Sequence, residues 1–466
     1  MNRTSQPREL LLEIDRSRRQ PLRAQIEQQL RSAIQEGRLP AATRLPSTRE
    51  LARQLAVSRG MIVEAYTQLA AEGYLEVHQG AAARVAAAAV VTQPPTPPPE
   101  AKRVRFDFWP GLPDLTAFPR DAWLASVRRS LRAATDAALG YGDPRGTEEL
   151  RTTISAYLGR VRGALAEPER IVICSGFAQG LGLVCRALRA QGFRRVAMED
   201  PSHRDQRKIV ELAGLEVLPV RVDAGGLLVG ELEAADPDAV VLTPAHQFPT
   251  GAVLAPERRS ALVGWAERRG TVIVEDDYDA EYRYDRAPVG ALQGLSPERV
   301  IYAGSTSKTL APALRLAWLV VPSWLLEQVT IEKALADLGS PRLEQLALAD
   351  FIDRGDLDRH LRRTRLRYRR RRHALVAALH RLVAGSQVRG IDAGLHAVVR
   401  LPPDSDEAAL LERARNHGIA LAGMGEHRFE QNAAEPALLL GYGRLPEPTI
   451  EAGIRELARV IAASSV

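Results

Sequence analysis

Two shortages in this sequence exclude whole classes of protein. Cys174 and Cys185 are the only cysteines among 466 residues, and their spacing fits neither a zinc site nor a disulfide framework. No stretch approaches the roughly 20 apolar residues of a membrane-spanning helix, and the N-terminal segment lacks the apolar core and cleavage site of a signal peptide. We therefore expect a cytoplasmic protein with no metal site and no membrane partner.

Length and positive charge are what the sequence does have. The formal net charge is +6 and the isoelectric point is near 9.5, which permits nucleic-acid binding without requiring it. A chain of 466 residues is too long to fold around one ordinary hydrophobic core, so it should form two or three domains. Residues 87–104 are rich in proline, which favours an extended, semi-rigid linker. We therefore predict an N-terminal domain at 1–86 and a larger domain at 105–466.

The N-terminal residues carry the signals of three short helices and a hairpin. Apolar side chains recur at four-residue steps after Pro21, which predicts an amphipathic helix that ends at Gly37. Ser47 followed by Glu50 forms a capping box, and Ser58 is the N-cap expected for the next helix. The predicted elements are helices at 21–37, 48–55 and 58–72 and strands at 74–77 and 83–86. This order is a winged helix-turn-helix.

The segments RLPSTRELARQLAVSRGMIVEAY and LAAEGYLEVHQG resemble the GntR family of bacterial regulators. The resemblance implies that the second helix of the motif enters the major groove by its N-terminal residues, with Arg59 at base edges and Ser58 near a phosphate. Arg49 is expected to contact phosphate or guanine. The wing tip carries alanines at 81–83 where the family is usually rich in glycine. The predicted DNA-binding residues are Ser47, Arg49, Ser58, Arg59, Gly60, Met61, His78 and Gly80.

A second set of signals surrounds Lys308. An apolar run at 300–303 predicts a strand that leads into a turn of small residues before this lysine. A lysine amine whose pKa is lowered by partial burial can form a Schiff base with a carbonyl compound. Ser305 and Ser307 can donate hydrogen bonds to a phosphate, and Arg315 is close enough in sequence to pair with it.

Acidic residues upstream supply a partner for a heterocyclic ring. A β-branched run at 271–274 predicts a buried strand that ends in Asp276 and Tyr278, and ligands bind at the carboxyl ends of strands in open α/β folds. A carboxylate there can bind a protonated pyridine nitrogen, and a tyrosine hydroxyl can reach a phenolate oxygen. With Lys308 and a phosphate cup, these are the groups that pyridoxal phosphate needs. A helix is predicted to start after the strand at 171–174. The free backbone amides of its first residues, Phe177, Ala178 and Gln179, can also bind the phosphate of the cofactor.

Together with TPAHQFPTG at 243–251, these segments resemble the fold-type I aminotransferases and, more narrowly, the MocR family, in which a GntR-type winged helix is fused to an aminotransferase-like domain. The resemblance implies an α/β fold with a large, mostly parallel sheet (about 105–334) and a small C-terminal α+β subdomain (about 335–466). It also implies a homodimer that holds pyridoxal 5'-phosphate. His203 stands where the family's tyrosine packs on the cofactor ring. Phe248 stands in place of an asparagine that bonds the ring oxygen, which leaves His246 or Gln247 as candidates for that bond.

Two functions remain open on the sequence. The chain is predicted to be either a transcription regulator that binds an operator and senses an amine, an amino acid or pyridoxal phosphate itself, or an aminotransferase with an accessory DNA-binding head. Turnover of amino acids in this fold relies on an arginine that grips the α-carboxylate, and alignment to the family places Leu439 at that position. Arg400 and Arg444 are nearby in sequence as possible replacements. The missing arginine favours the regulator.

Overall fold

The structure is a computed structural model, and it describes residues 12–78, 81–87, 104–284, 289–383, 385–430 and 435–463. Contacts within the chain divide it into two units, Met1–Ala101 and Lys102–Val466. Most of the linker predicted at 87–104 lies outside the described residues. In the part of the chain that is described, no helix is both long and apolar enough to cross a membrane.

The first unit is a winged helix-turn-helix, as predicted. Ser47 accepts a hydrogen bond from the Glu50 amide at 3.2 Å, and Ser58 accepts one from the Met61 amide at 3.3 Å, so both serines cap helices as their sequence positions indicated. The elements are α1 (Leu22–Gln35), α2 (Thr48–Gln54), α3 (Arg59–Ala71), β1 (Leu75–Glu76) and β2 (Arg84–Val85).

One apolar cluster holds this unit together. Ile26 and Leu30 of α1 pack with Leu51 of α2 and with Ile62 and Leu69 of α3, and each of the five is fully buried. Because α3 buries only one face in this cluster, its other face is left exposed.

The second unit is built on an eight-stranded sheet. The strand order is β4 (Ile171–Cys174), β11 (Ala317–Val320), β10 (Val300–Ser305), β9 (Val272–Asp277), β8 (Ala239–Leu242), β5 (Arg195–Asp200), β6 (Glu216–Asp223) and β7 (Gly226–Leu227). The five strands from β10 to β6 are parallel to one another. The edge strand β7 and the penultimate strand β11 run antiparallel to their neighbours. The mostly parallel sheet predicted from the sequence is therefore confirmed.

Helices cover both faces of this sheet. Along β9, Val272 and Val274 pack into one apolar cluster and Ile273 packs into another, as expected for a strand buried on both sides. The helices of the large part are α4 (Arg120–Ala133), α5 (Glu148–Arg162), α6 (Phe177–Ala190), α7 (Arg204–Leu212), α8 (Val229–Ala235), α9 (Pro256–Arg269), α10 (Ser323–Asp337) and α11 (Arg342–Asp353).

The C-terminal part forms a smaller α+β layer. A four-stranded antiparallel sheet is made by β12 (Gln387–Arg389), β13 (His396–Arg400), β16 (Ala437–Gly441) and β15 (Ala422–Gly423). It packs with helices α12 (Asp356–Leu382), α13 (Glu407–Asn416) and α14 (Glu447–Ala462). A short strand from the start of this unit, β3 (Phe106–Asp107), pairs in parallel with β14 (Ile419–Ala420). The arm that follows β3 therefore starts from the small subdomain.

Candidate functional site

A cavity of about 500 Å³ opens at the carboxyl ends of the parallel strands. Glu199 of β5, Leu242 of β8, Asp276 of β9 and Ser305 of β10 line it from the end of each strand. This is where open α/β sheets place their ligands. The structure brings nine of the predicted site residues to the cavity, namely Phe177, Ala178, His203, Asp276, Tyr278, Ser305, Ser307, Lys308 and Arg315.

Lys308 is half-buried in the cavity wall. Its Nζ donates a hydrogen bond to the Gly111 carbonyl at 2.5 Å. Burial lowers the pKa of this amine, against the opposing charges of Asp279 and Asp276. A lowered pKa increases the neutral fraction of the amine, which is the form that attacks a carbonyl.

Asp276 is buried in the cavity wall near the end of β9. Its Oδ2 accepts a hydrogen bond from Gln206 Nε2 at 2.9 Å. Burial raises the pKa of this carboxyl to about 7, and the charges of Asp277 and Asp279 add to the rise, whereas the Gln206 bond and the charge of Lys308 oppose it. A buried carboxylate with so little local compensation favours a cationic partner, and a protonated ring nitrogen is such a partner.

The start of α6 provides a cup for an anion. The first intrahelical bond runs from the Gly180 amide to the Gly176 carbonyl at 3.2 Å, so the amides of residues 177–179 are free of intrahelical partners. Gly176 has φ +89°, and a Cβ there would clash with the guanidinium of Arg315, which itself donates to the Ser175 carbonyl. Free amides and an arginine at a helix N-terminus are an anion-binding arrangement.

An aromatic wall closes one side of the cavity. The ring of His203 lies 5.6 Å from that of Phe248, and Phe248 meets Tyr278 edge to face at 6.2 Å. His203 also caps α7, because its Nδ1 accepts a hydrogen bond from the Asp205 amide at 3.3 Å. Phe248 thus supplies an apolar side chain at the position where the sequence resemblance implied an asparagine.

The structure does not bring Gln179, His246 or Gln247 to the cavity lining. The Gln179 side chain bonds the Ser175 amide and Asp337 instead, so only its backbone faces the anion cup. Gln247 is buried, and its amide group donates to the Pro201 and Phe248 carbonyls at 2.8 and 2.7 Å. The loop itself therefore uses the hydrogen-bonding capacity of the Gln247 side chain in this structure.

His246 lies behind Tyr278 rather than in the cavity. Its Nδ1 is 2.9 Å from Asp279 Oδ2 and 3.1 Å from the Tyr278 hydroxyl. In this structure His246 therefore contacts Asp279 and Tyr278, and a bond from His246 or Gln247 to the ring oxygen stays a prediction.

The cavity residues that were not foreseen from the sequence include Thr243, Glu199, His396 and Gly111. Thr243 Oγ1 donates to the buried Glu199 at 2.8 Å and accepts from the Phe248 amide at 2.9 Å. Burial raises the pKa of Glu199 to about 7 and lowers that of His396 to about 4, so His396 is neutral near pH 7. The fourth, Gly111, comes from the arm. The TPAH segment was a signal for Thr243, but nothing local identifies the partners of the others.

In the first unit, the predicted DNA-binding residues gather at the start of α3 and around it. Arg49 and Arg59 are exposed, and Arg59 Nε lies 3.4 Å from Thr48 Oγ1. A Cβ at Gly60 would meet no atom within 4 Å. Met61 is half-buried against the apolar cluster, which leaves less of it for a base contact than predicted. His78 is exposed, and Gly80 lies outside the described residues.

Two segments of the chain match known families. Residues 113–430 match aminotransferase class I and II, and residues 22–85 match the bacterial regulatory proteins of the gntR family. The chain is 32% identical over 472 residues to the probable rhizopine catabolism regulatory protein MocR of Rhizobium meliloti, with 96% of this chain and 95% of the relative covered. It is 31% identical over 447 residues to the pyridoxine biosynthesis transcriptional regulator PdxR of Corynebacterium glutamicum, with 94% and 95% covered.

The chain belongs to the MocR family of regulators. This confirms the resemblance found in the sequence and makes the protein a transcription regulator with an aminotransferase-like domain. Like other GntR-type regulators, it binds DNA operators and responds to a small-molecule effector.

Solved structures place the second unit among the fold-type I aminotransferases. LysN, the α-aminoadipate aminotransferase of Thermus thermophilus crystallised with N-(5'-phosphopyridoxyl)-L-leucine, matches with a TM-score of 0.70 and 29% identity over 78% of this chain and 93% of its own. The kynurenine aminotransferase of Pyrococcus horikoshii, in complex with PMP, matches with a TM-score of 0.71 and 26% identity over 78% and 92%. The cofactor of this domain is pyridoxal 5'-phosphate.

The residues of this MocR-family chain fit that cofactor. The cradle at Gly176 has no room for a side chain, and the donors around it suit a phosphate. Asp276 suits the ring nitrogen, and Lys308 supplies the amine. The cavity thus holds the full set of groups that the sequence analysis required.

Among the described residues that line this MocR-family cavity, Arg315 at the phosphate cup is the only arginine, and none stands at the position expected for an α-carboxylate. Leu439 is fully buried in an apolar cluster with Val398 and Met424, against which Phe248 packs. Arg400 is paired with Glu435, and Arg444 with Asp107. Neither arginine lines the cavity, so neither replaces the missing group in this structure.

Proposed function

We propose that this regulator senses pyridoxal phosphate itself, through the cavity around Lys308, and transmits its presence to operator binding by the winged head. The observation that carries the proposal is the set of cations in the cavity. Arg315 lies at the phosphate cup and Lys308 at the aldehyde position, while the arginine needed for an amino acid carboxylate is replaced by buried Leu439. In the part of the chain that the structure describes, each strong cation of the lining therefore matches the cofactor, and none is left over for a substrate carboxylate.

The chemistry that pyridoxal phosphate supplies when bound is an aldehyde that accepts an amine. Lys308 supplies that amine and Gly111 holds it. Asp276 compensates the charge on the ring nitrogen, and Tyr278 is oriented by His246. Phe248 and His203 exclude water from one face of the cavity. These are binding and positioning roles, and efficient transamination is not expected without a carboxylate grip.

A second candidate effector is a small amine without a carboxylate. The specific observation in its favour is the apolar part of the lining, which Trp109, Leu112 and Leu395 contribute beyond the predicted cofactor contacts. An alkyl or aryl group fits such a wall, whereas a carboxylate there has no cation to meet.

We also propose that the regulator works as a homodimer. Leu139, Tyr141 and Leu338 are 61%, 89% and 60% exposed and line one surface cleft, and exposed apolar patches of this kind mark association surfaces. Two heads on one dimer fit a repeated operator, since a single head reads too few base pairs to find one site in a genome.

The test is operator binding by the full-length protein, freed of cofactor and then titrated with pyridoxal phosphate. A promoter fragment upstream of the chain's own gene or its neighbour serves as DNA, and footprinting reports the bound sites. We expect pyridoxal phosphate to change the affinity at least about fivefold, a typical allosteric coupling. Lys308→Ala should remove this response and the visible colour of the bound cofactor on dialysis. Lys208→Ala, which changes an exposed lysine on α7, should keep both.

Paired effectors separate the candidates. An amine and the α-amino acid with the same side chain are added to the loaded protein. A response to the amine alone supports the second candidate, and no response to either beyond that of pyridoxal phosphate supports the first. A response that requires the α-amino acid contradicts both. Steady-state transamination with 2-oxoglutarate at about 1–10 per second, an ordinary enzyme rate, would establish the aminotransferase instead.

A further inference from the structure

Arg44 and Arg84 lie directly opposite each other at the base of the wing. They form an isolated antiparallel bridge that adds residue 44 to the sheet of β1 and β2. The flanking backbone bonds run from the Leu45 amide to the Ala83 carbonyl at 2.9 Å and from the Val85 amide to the Thr43 carbonyl at 3.0 Å. This pattern makes Arg44 and Arg84 a non-hydrogen-bonded pair, in which Cα atoms are about 4.5 Å apart and side chains are closest.

The two guanidinium groups share one face of this sheet. Val85 is buried in the apolar cluster, so Arg84, its neighbour along the strand, points to the opposite, solvent-facing side. Arg44 is exposed and Arg84 is partly exposed. Within the described residues neither side chain makes a hydrogen bond or an ion pair, even though Glu76 of β1 is the cross-strand partner of Arg84.

This pairing is unfavourable for the head on its own. Like charges directly opposite each other across two strands destabilise a sheet. Arg31 and Arg23 of the same unit do form ion pairs, with Glu72 at 2.6 Å and with Glu64 at 3.2 Å. Arg44 and Arg84 form none within the described residues, although Glu76 lies opposite Arg84 in the strand register. A narrow strand pair that carries two such cations points to an anion that is bound from outside the chain.

The pair is tied to the recognition helix. Arg44 lies two residues before Pro46, and the Pro46 carbonyl accepts a hydrogen bond from the buried Tyr66 hydroxyl of α3 at 3.0 Å. Ser47 then caps α2. The backbone that carries Arg44 is thus fixed to the same helix whose N-terminus carries Arg59. By contrast, the described residues of the wing tip offer alanines at 81–83 and no cation.

We propose that Arg44 and Arg84 clamp a phosphate of the DNA backbone and so anchor the wing by its base rather than by its tip. The proposal rests on operator binding by this head and assigns it a sequence-independent contact that is separate from base reading by Arg59. Backbone contacts of this kind set the register of a protein on DNA without reading its sequence. Binding also removes the repulsion between the two guanidinium groups, because the phosphate lies between them.

The experiment measures DNA affinity of the full-length protein as a function of salt, on the operator and on unrelated DNA of the same length. Arg44→Gln combined with Arg84→Gln should weaken binding to both DNAs by the same factor. One phosphate contact contributes about 0.9 to the slope of log affinity against log salt, which is about fivefold at 0.15 M salt. A slope reduced by about one unit supports a shared phosphate, and a reduction by about two units supports adjacent phosphates.

Three controls make the outcome decisive. The double Lys variant, Arg44→Lys with Arg84→Lys, should keep the wild-type slope. Arg38→Gln, whose guanidinium is already paired with Glu36 at 2.7 Å, should leave affinity and slope unchanged. Thermal unfolding of the Gln variant without DNA should be unchanged or shifted to higher temperature, which excludes a misfolded head.

An unchanged slope in the double Gln variant, with wild-type preference for the operator intact, overturns the clamp and leaves the regulator assignment standing. Loss of affinity for the operator alone also overturns it, because that result means base reading. If the wild-type protein binds neither DNA, the clamp and the operator function fall together.

Discussion

Replacing Asp276 with asparagine should stabilise the cofactor-free protein while weakening its hold on pyridoxal phosphate. Asp276 is 6% exposed, and burial raises its pKa from an ordinary 3.8 to about 7. A carboxyl group with a raised pKa in the folded state ionises first in the unfolded chain, so wild-type stability falls as the pH rises from about 4 to about 7. Asparagine has no proton to lose, and its side-chain oxygen can still accept the Gln206 hydrogen bond.

The magnitude follows from the size of the pKa shift. Three units at about 1.4 kcal/mol each give about 4 kcal/mol as the largest gain in the free energy of unfolding. At about 2 °C per kcal/mol for a large domain, Tm should rise by roughly 8 °C or less above pH 7. At pH 4 the difference should shrink to about 0.6 kcal/mol, because the carboxyl group of Asp276 is then protonated in the folded state and about two fifths protonated in the unfolded state.

The assay is scanning calorimetry of cofactor-free wild type and Asp276→Asn between pH 4 and pH 8. The difference in Tm between the two proteins isolates Asp276 from Glu199 and Glu275, whose pKa values burial also raises to about 7. Asp404→Asn removes an exposed carboxylate and should give no pH-dependent difference. A variant that melts at or below wild type at pH 8 refutes the reasoning, as does one that keeps wild-type affinity for pyridoxal phosphate.

Two further predictions concern the head. Gly60→Ala should raise the free energy of unfolding of the first unit by about 0.5–1 kcal/mol, because a methyl group there meets no atom within 4 Å and alanine favours a helix. The same substitution should lower operator affinity, because α3 is expected to approach the bases at this point. Gly230→Ala in α8, equally open, is the control, and unchanged footprinting of the Gly60 variant contradicts the prediction. Tyr66→Phe should lower the free energy of unfolding of the head by about 1–2 kcal/mol, since the Pro46 carbonyl loses its buried donor. Tyr74→Phe, at a partly exposed site, should lower it less in the same thermal unfolding experiment. Equal losses in the two variants contradict the assignment.

Local patterns explain why so much of the cavity could be predicted from the sequence. Asp276 and Ser305 each end a buried strand, and parallel strands bring their carboxyl ends together whatever the intervening loops do. The turn at Gly176 likewise precedes its helix in sequence. These side chains owe their positions to backbone elements whose signals lie within a few residues of them.

What could not be predicted depends on bonds between distant segments. Whether His246 or Gln247 points into the cavity is decided by Pro201 and Asp279, which come from other strands. The contact between Lys308 and Gly111 joins residues 197 positions apart. The repulsive pairing of Arg44 with Arg84 depends on strand register, which a two-residue strand does not encode by itself.

The hydrogen bond from Lys308 to the Gly111 carbonyl has a mechanical consequence. A Lys308 amine that formed a bond with an aldehyde would no longer donate this hydrogen bond, and the Gly111 carbonyl would lose its donor. The arm leads back to β3, where the Arg105 amide is still bonded to the Gly418 carbonyl, and from there to the linker. A change at the Lys308 amine would therefore act on the arm first at Gly111, whose φ of +91° few other residues adopt.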